Sequence, residues 1–172
     1  MLVALSDTHG DTDPRLTDHL RDTIEDASLV VHAGDFTTAD VLDAFDSLAP
    51  AFAGVAGNSD SSAVRDRLPE KRVVEQFGRR FLVVHGHRHD RTSLSLLARQ
   101  EKADVVVLGH THSAGVEYVG DVTVVNPGSH ADPRGEHPTF ATFRESEAGI
   151  RVHVWRCDGQ PCVVRALGQV RE

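Results

Sequence analysis

The sequence predicts a layered α/β domain, and three observations carry that prediction. Short apolar runs recur along the chain, each closing on a small residue followed by polar groups. Amphipathic helical segments fall between several of these runs, and strand–helix alternation is the pattern of sheets covered by helices. The C-terminal third lacks the helical segments and reads as hairpins, which adds a second, partly antiparallel sheet packed on the first.

Six apolar runs read as buried strands: "MLVALSDTHGD", "SLVVHAGD", "AFAGVAGNSD", "RRFLVVHGH", "ADVVVLGHTH" and "VTVVNPGS". Between the first two, "DPRLTDHLRDTIEDA" predicts a helix with Asp13 as N-cap, Pro14 in the first turn, and Leu16, Leu20 and Ile24 on one face. "TTADVLDAFDSLA" places Val41, Leu42, Phe45 and Leu48 likewise, "SSAVRDRLP" is a short helix stopped by Pro69, and "TSLSLLARQEKA" is a fourth helix. "VEYVGDVTVVN" predicts two strands joined by a Gly-Asp turn, and "TFATFRESEAGIRVHVW" a second hairpin. In the latter, Ile150, Val152 and Val154 alternate with Arg151, His153 and Trp155, as a half-exposed strand requires. No linker or low-complexity tract divides the chain, so one domain over residues 1–172 is expected.

Composition excludes several classes. A formal net charge of −8 and a pI near 5.7 disfavour a general nucleic-acid binder, whose footprint is basic. An anionic substrate stays compatible, because bound cations invert a local potential. No apolar run is long enough to span a bilayer. Leu2–Leu5 passes straight into "SDTHGD", not into a signal-peptide pattern, so a soluble cytoplasmic protein with no membrane partner is expected. Cys157 and Cys162 are then expected to be free thiols.

In open α/β sheets, ligands gather beyond the carboxyl ends of the strands, and that is where the polar residues of each run stand. The candidate metal ligands are Asp7, His9, Asp35, Asn58, His85, His110 and His112. They are oxygen and imidazole donors with no thiolate, a set suited to Mn, Fe, Ni, Co or Zn. Seven side chains are more than one ion needs and enough for two, especially with a bridging carboxylate. Each short motif is weak alone, since Gly-Asp and Gly-Asn pairs are common turns. The ordered set D-x-H, GD, GN, HG and GHTH, each after an apolar run, is specific.

With these residues in hand, the chain resembles the calcineurin-like metallophosphoesterase superfamily, and within it the small single-domain phosphodiesterase branch. The likeness spans Leu2 to about Arg134 and rests on "SDTHG", "VVHAGD", "GNSD", "VHGH", "GHTH" and "NPGS" with Pro133 and Arg134. It implies a four-layer α/β/β/α sandwich of two mixed sheets with two divalent ions, Mn foremost, at the strand ends. By motif, Asp7, His9, Asp35 and His112 would hold the first ion. Asp35, Asn58, His85 and His110 would hold the second, with Asp35 bridging. The implied reaction is phosphoester hydrolysis by in-line attack of a metal-bridging hydroxide, with Asn58 also steadying charge on the phosphate oxygens. The implied partner is a small phosphoester or a short nucleotide, without stable nucleic-acid binding, and homo-oligomers are common in the branch.

One position departs from the larger members of the superfamily. They carry a histidine after the GN pair, where this chain has Ser59 followed by Asp60. A serine hydroxyl is a poor general acid near neutral pH. The expected preference is therefore for activated phosphodiesters over alkyl monoesters. Ser59, His87, His130 and Arg134 are candidate substrate contacts, weighed against plainer readings. These are a loop histidine for His87, the same for His130, and a surface ion pair for Arg134. His89 shares the His87 loop. His32 reads as a buried residue supporting the ligands, and His19, His137 and His153 as surface residues. The competing function is a catalytically weak interaction scaffold on the same fold.

Overall fold

The computed structural model describes residues 1–147 and 149–167. The elements run β1 (Leu2–Leu5), α1 (Asp18–Glu25), β2 (Leu29–His32), α2 (Ala39–Leu48), β3 (Phe52–Gly54), α3 (Ser62–Arg65), β4 (Lys71–Gln76), β5 (Arg79–Val84), α4 (Arg91–Gln100), β6 (Val105–Leu108), β7 (Gly115–Val119), β8 (Val122–Asn126), β9 (Thr139–Ser146), β10 (Gly149–Arg156) and β11 (Pro161–Leu167). They form two sheets, ordered β11-β10-β9-β1-β2-β3 and β4-β5-β6-β8-β7. Within the first, β1, β2 and β3 are parallel, and within the second, β5, β6 and β8 are parallel. The remaining pairings are antiparallel, so both sheets are mixed.

Three apolar cores make four layers. Between the sheets lie Leu2, Val31, Val83, Val107, Val125 and Val152, with Phe81 of β5 meeting Phe143 of β9 edge-on at 5.1 Å between ring centroids. On the outer face of the first sheet, Leu20 and Ile24 of α1 and Val41, Leu42 and Phe45 of α2 cover Val3, Leu5 and Val30. On the outer face of the second, Leu94 and Ala98 of α4 cover Leu82, Val84 and Val106. Alternate residues of each strand serve opposite faces, which is why the runs are apolar throughout. The expected α/β/β/α sandwich is therefore present. No helix among the described residues is long and apolar enough to cross a membrane.

Two expectations need correction, and two strands were not anticipated. The C-terminal hairpin β9–β10 does not build the second sheet. Instead β9 pairs with β1, Ala4 opposite Ala141, so the hairpin widens the first sheet. The second sheet takes its antiparallel strands from the predicted hairpin β7–β8 at one edge and, at the other, from β4, a half-exposed strand whose "KRVVEQ" is too polar to stand out as an apolar run. The predicted start of α1 at Asp13 is displaced to Thr17, whose hydroxyl accepts from Leu20 N. Asp13 instead accepts from Arg15 N in a turn, at 2.5 Å, and Arg15 adopts a left-handed backbone with φ 53°. Finally β11, next to β10, follows "CDGQ" as a further strand that the apolar runs did not announce.

Candidate metal centre

The carboxyl ends of β1, β2, β3, β5 and β6 open at one rim, and each delivers its predicted residues there. Beyond the last residues of β1 and β2 the backbones stay paired. Asp7 N donates to Gly34 O at 2.9 Å, His9 N to Asp35 O at 3.0 Å, and Gly10 N to Phe36 O at 3.2 Å. This continuation bends both loops inward. Asp7, His9, Asp35, His110 and His112 all have positive φ, at 55°, 46°, 61°, 72° and 59°. Non-glycine residues seldom adopt that region, and Asp and His do so most readily among them, so five ligand candidates sharing it mark a site built at conformational cost.

Two groups of donors converge. Asp7, His9 and His112 form one, and Asp7, Asp35 and His85 the other, each with ligand atoms within 4.8 Å of one another. Asp35 Oδ2 lies 3.4 Å from His9 Nε2 and 3.3 Å from His85 Nε2, so it reaches both groups. His112 Nε2 is 3.4 Å from Asp7 Oδ1, and the His9 and His112 rings stack at 5.1 Å. Asn58 Oδ1 is 3.0 Å from His85 Nε2. The His110 ring stands at the exposed edge of the second group, 5.2 Å from that of His85, and its backbone N–H donates to both Asp7 oxygens at 3.1 and 3.0 Å. All seven predicted ligand residues are thus brought to one rim.

The fit to a cation rests on orphaned nitrogens. His9 Nε2 and His112 Nε2 are buried and have no hydrogen-bond partner in the protein, yet both face carboxylates. A buried polar atom without a partner is costly, and a metal ion among these donors removes the cost. Two of the ligand histidines, His85 and His112, have the far ring nitrogen anchored, as is usual for metal-bound histidines. His85 Nδ1 bonds the Ala33 carbonyl at 2.7 Å, and His112 Nδ1 bonds that of Asp132.

Charge is poised to match. Burial pushes the Asp7 carboxyl above its usual value, against the opposing pull of His85 and His112. Burial acts on Asp35 the same way, but the His85 contact and the Ser59 N–H at 2.8 Å outweigh it and hold Asp35 well below the carboxylate range. Burial lowers His85 while Asp35 and Asp7 more than restore it, leaving its pKa raised.

Residues that sequence reasoning passed over hold this rim together. Asp60, 2% exposed, accepts from Asp35 N at 3.2 Å, Thr37 N at 2.7 Å and Gly57 N at 2.7 Å, tying the second and third ligand loops. Its only signal was the last letter of "GNSD". Ser129 donates to Asp7 O at 2.7 Å while accepting from Ala131 and Asp132 N–H, so "NPGS" braces the first loop. Gly109 permits close approach, since a Cβ there would lie 2.9 Å from Ala33 O and 3.0 Å from Asp7 Oδ2. His32 is fully buried, bonded to Thr8 Oγ1 at 2.8 Å and to Gly34 N at 3.2 Å, which agrees with a supporting role.

The candidate substrate contacts divide. Ser59 is exposed beside Asn58, whose Nδ2 donates to its hydroxyl at 3.2 Å. His87 is half-buried, its ring 5.4 Å from that of His85, with Nδ1 unpartnered. His130 is a correction: it is 5% exposed and its Nε2 bonds Pro14 O at 2.8 Å, so it pins the segment before α1 instead of facing substrate. Arg134 takes its plainer reading, an exposed pair with Asp132 at 3.6 Å.

Fold and site together define a metallohydrolase-type α/β sandwich, with a histidine–carboxylate cluster at the ends of parallel strands. Comparison with known proteins narrows this. The family model described as the calcineurin-like phosphoesterase superfamily domain matches residues 1–148, and the chain belongs to that family. A probable metallophosphoesterase of Methanothermobacter thermautotrophicus is 30% identical over 166 residues, covering 94% of this chain and 95% of the relative. A phosphodiesterase of Methanocaldococcus jannaschii is 30% identical over 115 residues, 60% of this chain and 68% of the relative. Among solved structures, vacuolar protein sorting 29 from Cryptosporidium parvum superposes with a TM-score of 0.80 at 18% identity, covering 98% of this chain and 97% of that one. That last likeness is one of fold.

Proposed function

We propose that this chain is a dinuclear-metal phosphodiesterase acting on a small phosphoester or short nucleotide in the cytoplasm. The observation that carries the reading is the pair of converging donor groups linked by Asp7 and Asp35, with His9 Nε2 and His112 Nε2 unpartnered and aimed at carboxylates. On this reading Asp7, His9, Asp35 and His112 hold one divalent ion, Mn foremost, and Asp35, Asn58, His85 and His110 hold the other. When bound, two such ions would supply positive charge against a phosphate and lower the pKa of a coordinated water.

The protein's own groups do the rest. The Ala33 and Asp132 carbonyls fix the rings of His85 and His112, and Asp60 fixes the loops of Asp35 and Asn58. The exposed Asn58 amide meets the equatorial phosphate oxygens as charge develops there. Ser59 cannot deliver a proton to a poor leaving group, so diesters with stable leaving groups are favoured over alkyl monoesters. The free thiols of Cys157 and Cys162 suit the reducing compartment assigned here.

The likeness of fold to vacuolar protein sorting 29 gives the second reading, a catalytically weak scaffold. A panel of phosphomonoesters and phosphodiesters, assayed with Mn, Ni, Fe, Co and Zn and with a chelator, separates the two. Metal-dependent diester turnover, lost in Asp35→Ala, supports the enzyme. Absence of turnover with every ion supports the scaffold, and undiminished turnover in Asp35→Ala refutes the ligand assignment.

A further inference from the structure

We propose that the cavity beside Asn58 is a subsite for one arm of the diester, and that it selects an arm of sugar size bearing a second phosphate. The inference rests on the phosphodiesterase reading, because Asn58 connects the cavity to the donor cluster through its 3.0 Å contact with His85. The cavity has a volume of about 290 Å³ and is lined by Asn58, Arg65, Leu68, Glu70, His87 and Arg88, among others. That volume is at the lower end for small-molecule pockets and holds one sugar-sized unit, not a polymer.

Its charges are unequal. Arg88 at the mouth is paired with Glu70 at 2.5 Å, so the two cancel. Arg65, at the end of α3, gives a guanidinium N–H to the neutral carbonyl of Asp60 and, among the described residues, has no carboxylate partner. The Asp60 carboxylate itself is turned onto the backbone N–H groups of Asp35, Thr37 and Gly57. A guanidinium without a carboxylate partner, next to the donor cluster of a chain with net charge −8, is a site for an anion. Its planar fork matches phosphate geometry, and a tether to one carbonyl orders it in advance. Leu68 supplies apolar wall, and half-buried His87, whose Nδ1 has no partner in the protein, lines the same cavity. With the scissile phosphate at the cluster and the second phosphate at Arg65, the intervening sugar fills the cavity.

The test compares thymidine 5′-monophosphate with thymidine 3′,5′-bisphosphate, titrated calorimetrically into the Mn-loaded protein. It is paired with kinetics on the p-nitrophenyl 5′-esters of the same two nucleotides. The second phosphate is expected to tighten binding and lower KM by about tenfold, the scale of one charge-assisted contact in a partly solvated site. Arg65→Gln, which keeps a donor for the Asp60 carbonyl, is expected to bring both ratios to about one, while Arg65→Lys retains most of the preference. A ratio near one in the wild type, a tenfold ratio that survives Arg65→Gln, or no binding of either nucleotide overturns the proposal. Preferential binding of the bisphosphate with no turnover of any diester would instead leave the subsite standing and remove the phosphodiesterase reading.

Discussion

Asp60 offers the sharpest test of how the rim is held. Its Oδ2 receives Asp35 N at 3.2 Å and Gly57 N at 2.7 Å, and its Oδ1 receives Thr37 N at 2.7 Å. The residue is 2% exposed, so these three donors find no ready replacement in Asp60→Ala. A hydrogen bond to a charged group contributes about 1.5–3 kcal/mol. Counting the long bond at the low end, and allowing water to reach part of the gap, the loss is about 4 kcal/mol. For a chain of 172 residues that lowers Tm by about 8–16 °C. Asp60→Asn keeps its carbonyl oxygen for the Asp35 and Gly57 donors but sets its amide against Thr37 N, costing about 2 kcal/mol, or roughly 4–8 °C. Thermal unfolding followed by circular dichroism gives both numbers. Metal titration of Asp60→Asn at a temperature where it stays folded should show weakened binding, since Asp35 and Asn58 sit in the loops it ties. A melting point for Asp60→Ala within about 3 °C of wild type, or equal losses in the two variants, would refute this reasoning.

Three further outcomes follow. The Mn-loaded protein should turn over bis(p-nitrophenyl) phosphate faster than p-nitrophenyl phosphate, and Ser59→His should raise monoester turnover about tenfold or more, since a positioned acid contributes ~10²–10⁴; monoester rates matching diester rates in the wild type would count against it. In chelator-treated protein, stability should fall as pH drops below about 6.5, because burial holds His32 well below its usual value and His130 at about 4, so the unfolded chain binds those protons first. His130 accounts for about 2 kcal/mol of that loss at pH 5, while the raised His85 acts in the opposite sense, adding stability below pH 6.5 that fades as pH rises through its own pKa. His130→Gln should flatten the profile, as denaturant melts at several pH values would show, and an unchanged slope would contradict this. Burial pushes the Cys157 thiol up to about 12, whereas Cys162 is exposed, so a thiol reagent should modify Cys162 in the native protein and Cys157 only on unfolding.

What the sequence made legible was the delivery of chemistry by strands. Each apolar run closing on "SDTHG", "GD", "GN", "HG" or "GHTH" became a parallel strand whose end reaches the rim, because burial on both faces writes a continuous apolar signal. What it hid was partnership. The hairpin β9–β10 reads the same whether it joins the first sheet or starts the second, since pairing with β1 is decided by contacts far away in sequence. Edge strand β4 carries Arg72, Glu75 and Gln76 to half-wet surroundings, which dilutes its apolar pattern. His130 looked available because it follows "NPGS", yet the chain folds its ring under Pro14. Asp60 carries no role in the sequence beyond following Ser59, and only the approach of Asp35 and Thr37 from another loop gives its carboxylate a task.

On the proposed reading, this rim holds two divalent ions through seven residues joined at Asp35. Isothermal titration of Mn²⁺ into chelator-treated protein measures it directly, with Asp35→Ala run alongside. Two ions per wild-type chain and loss of affinity at both sites in the variant are expected. One ion or none per wild-type chain, or two bound as tightly by Asp35→Ala, would contradict that reading.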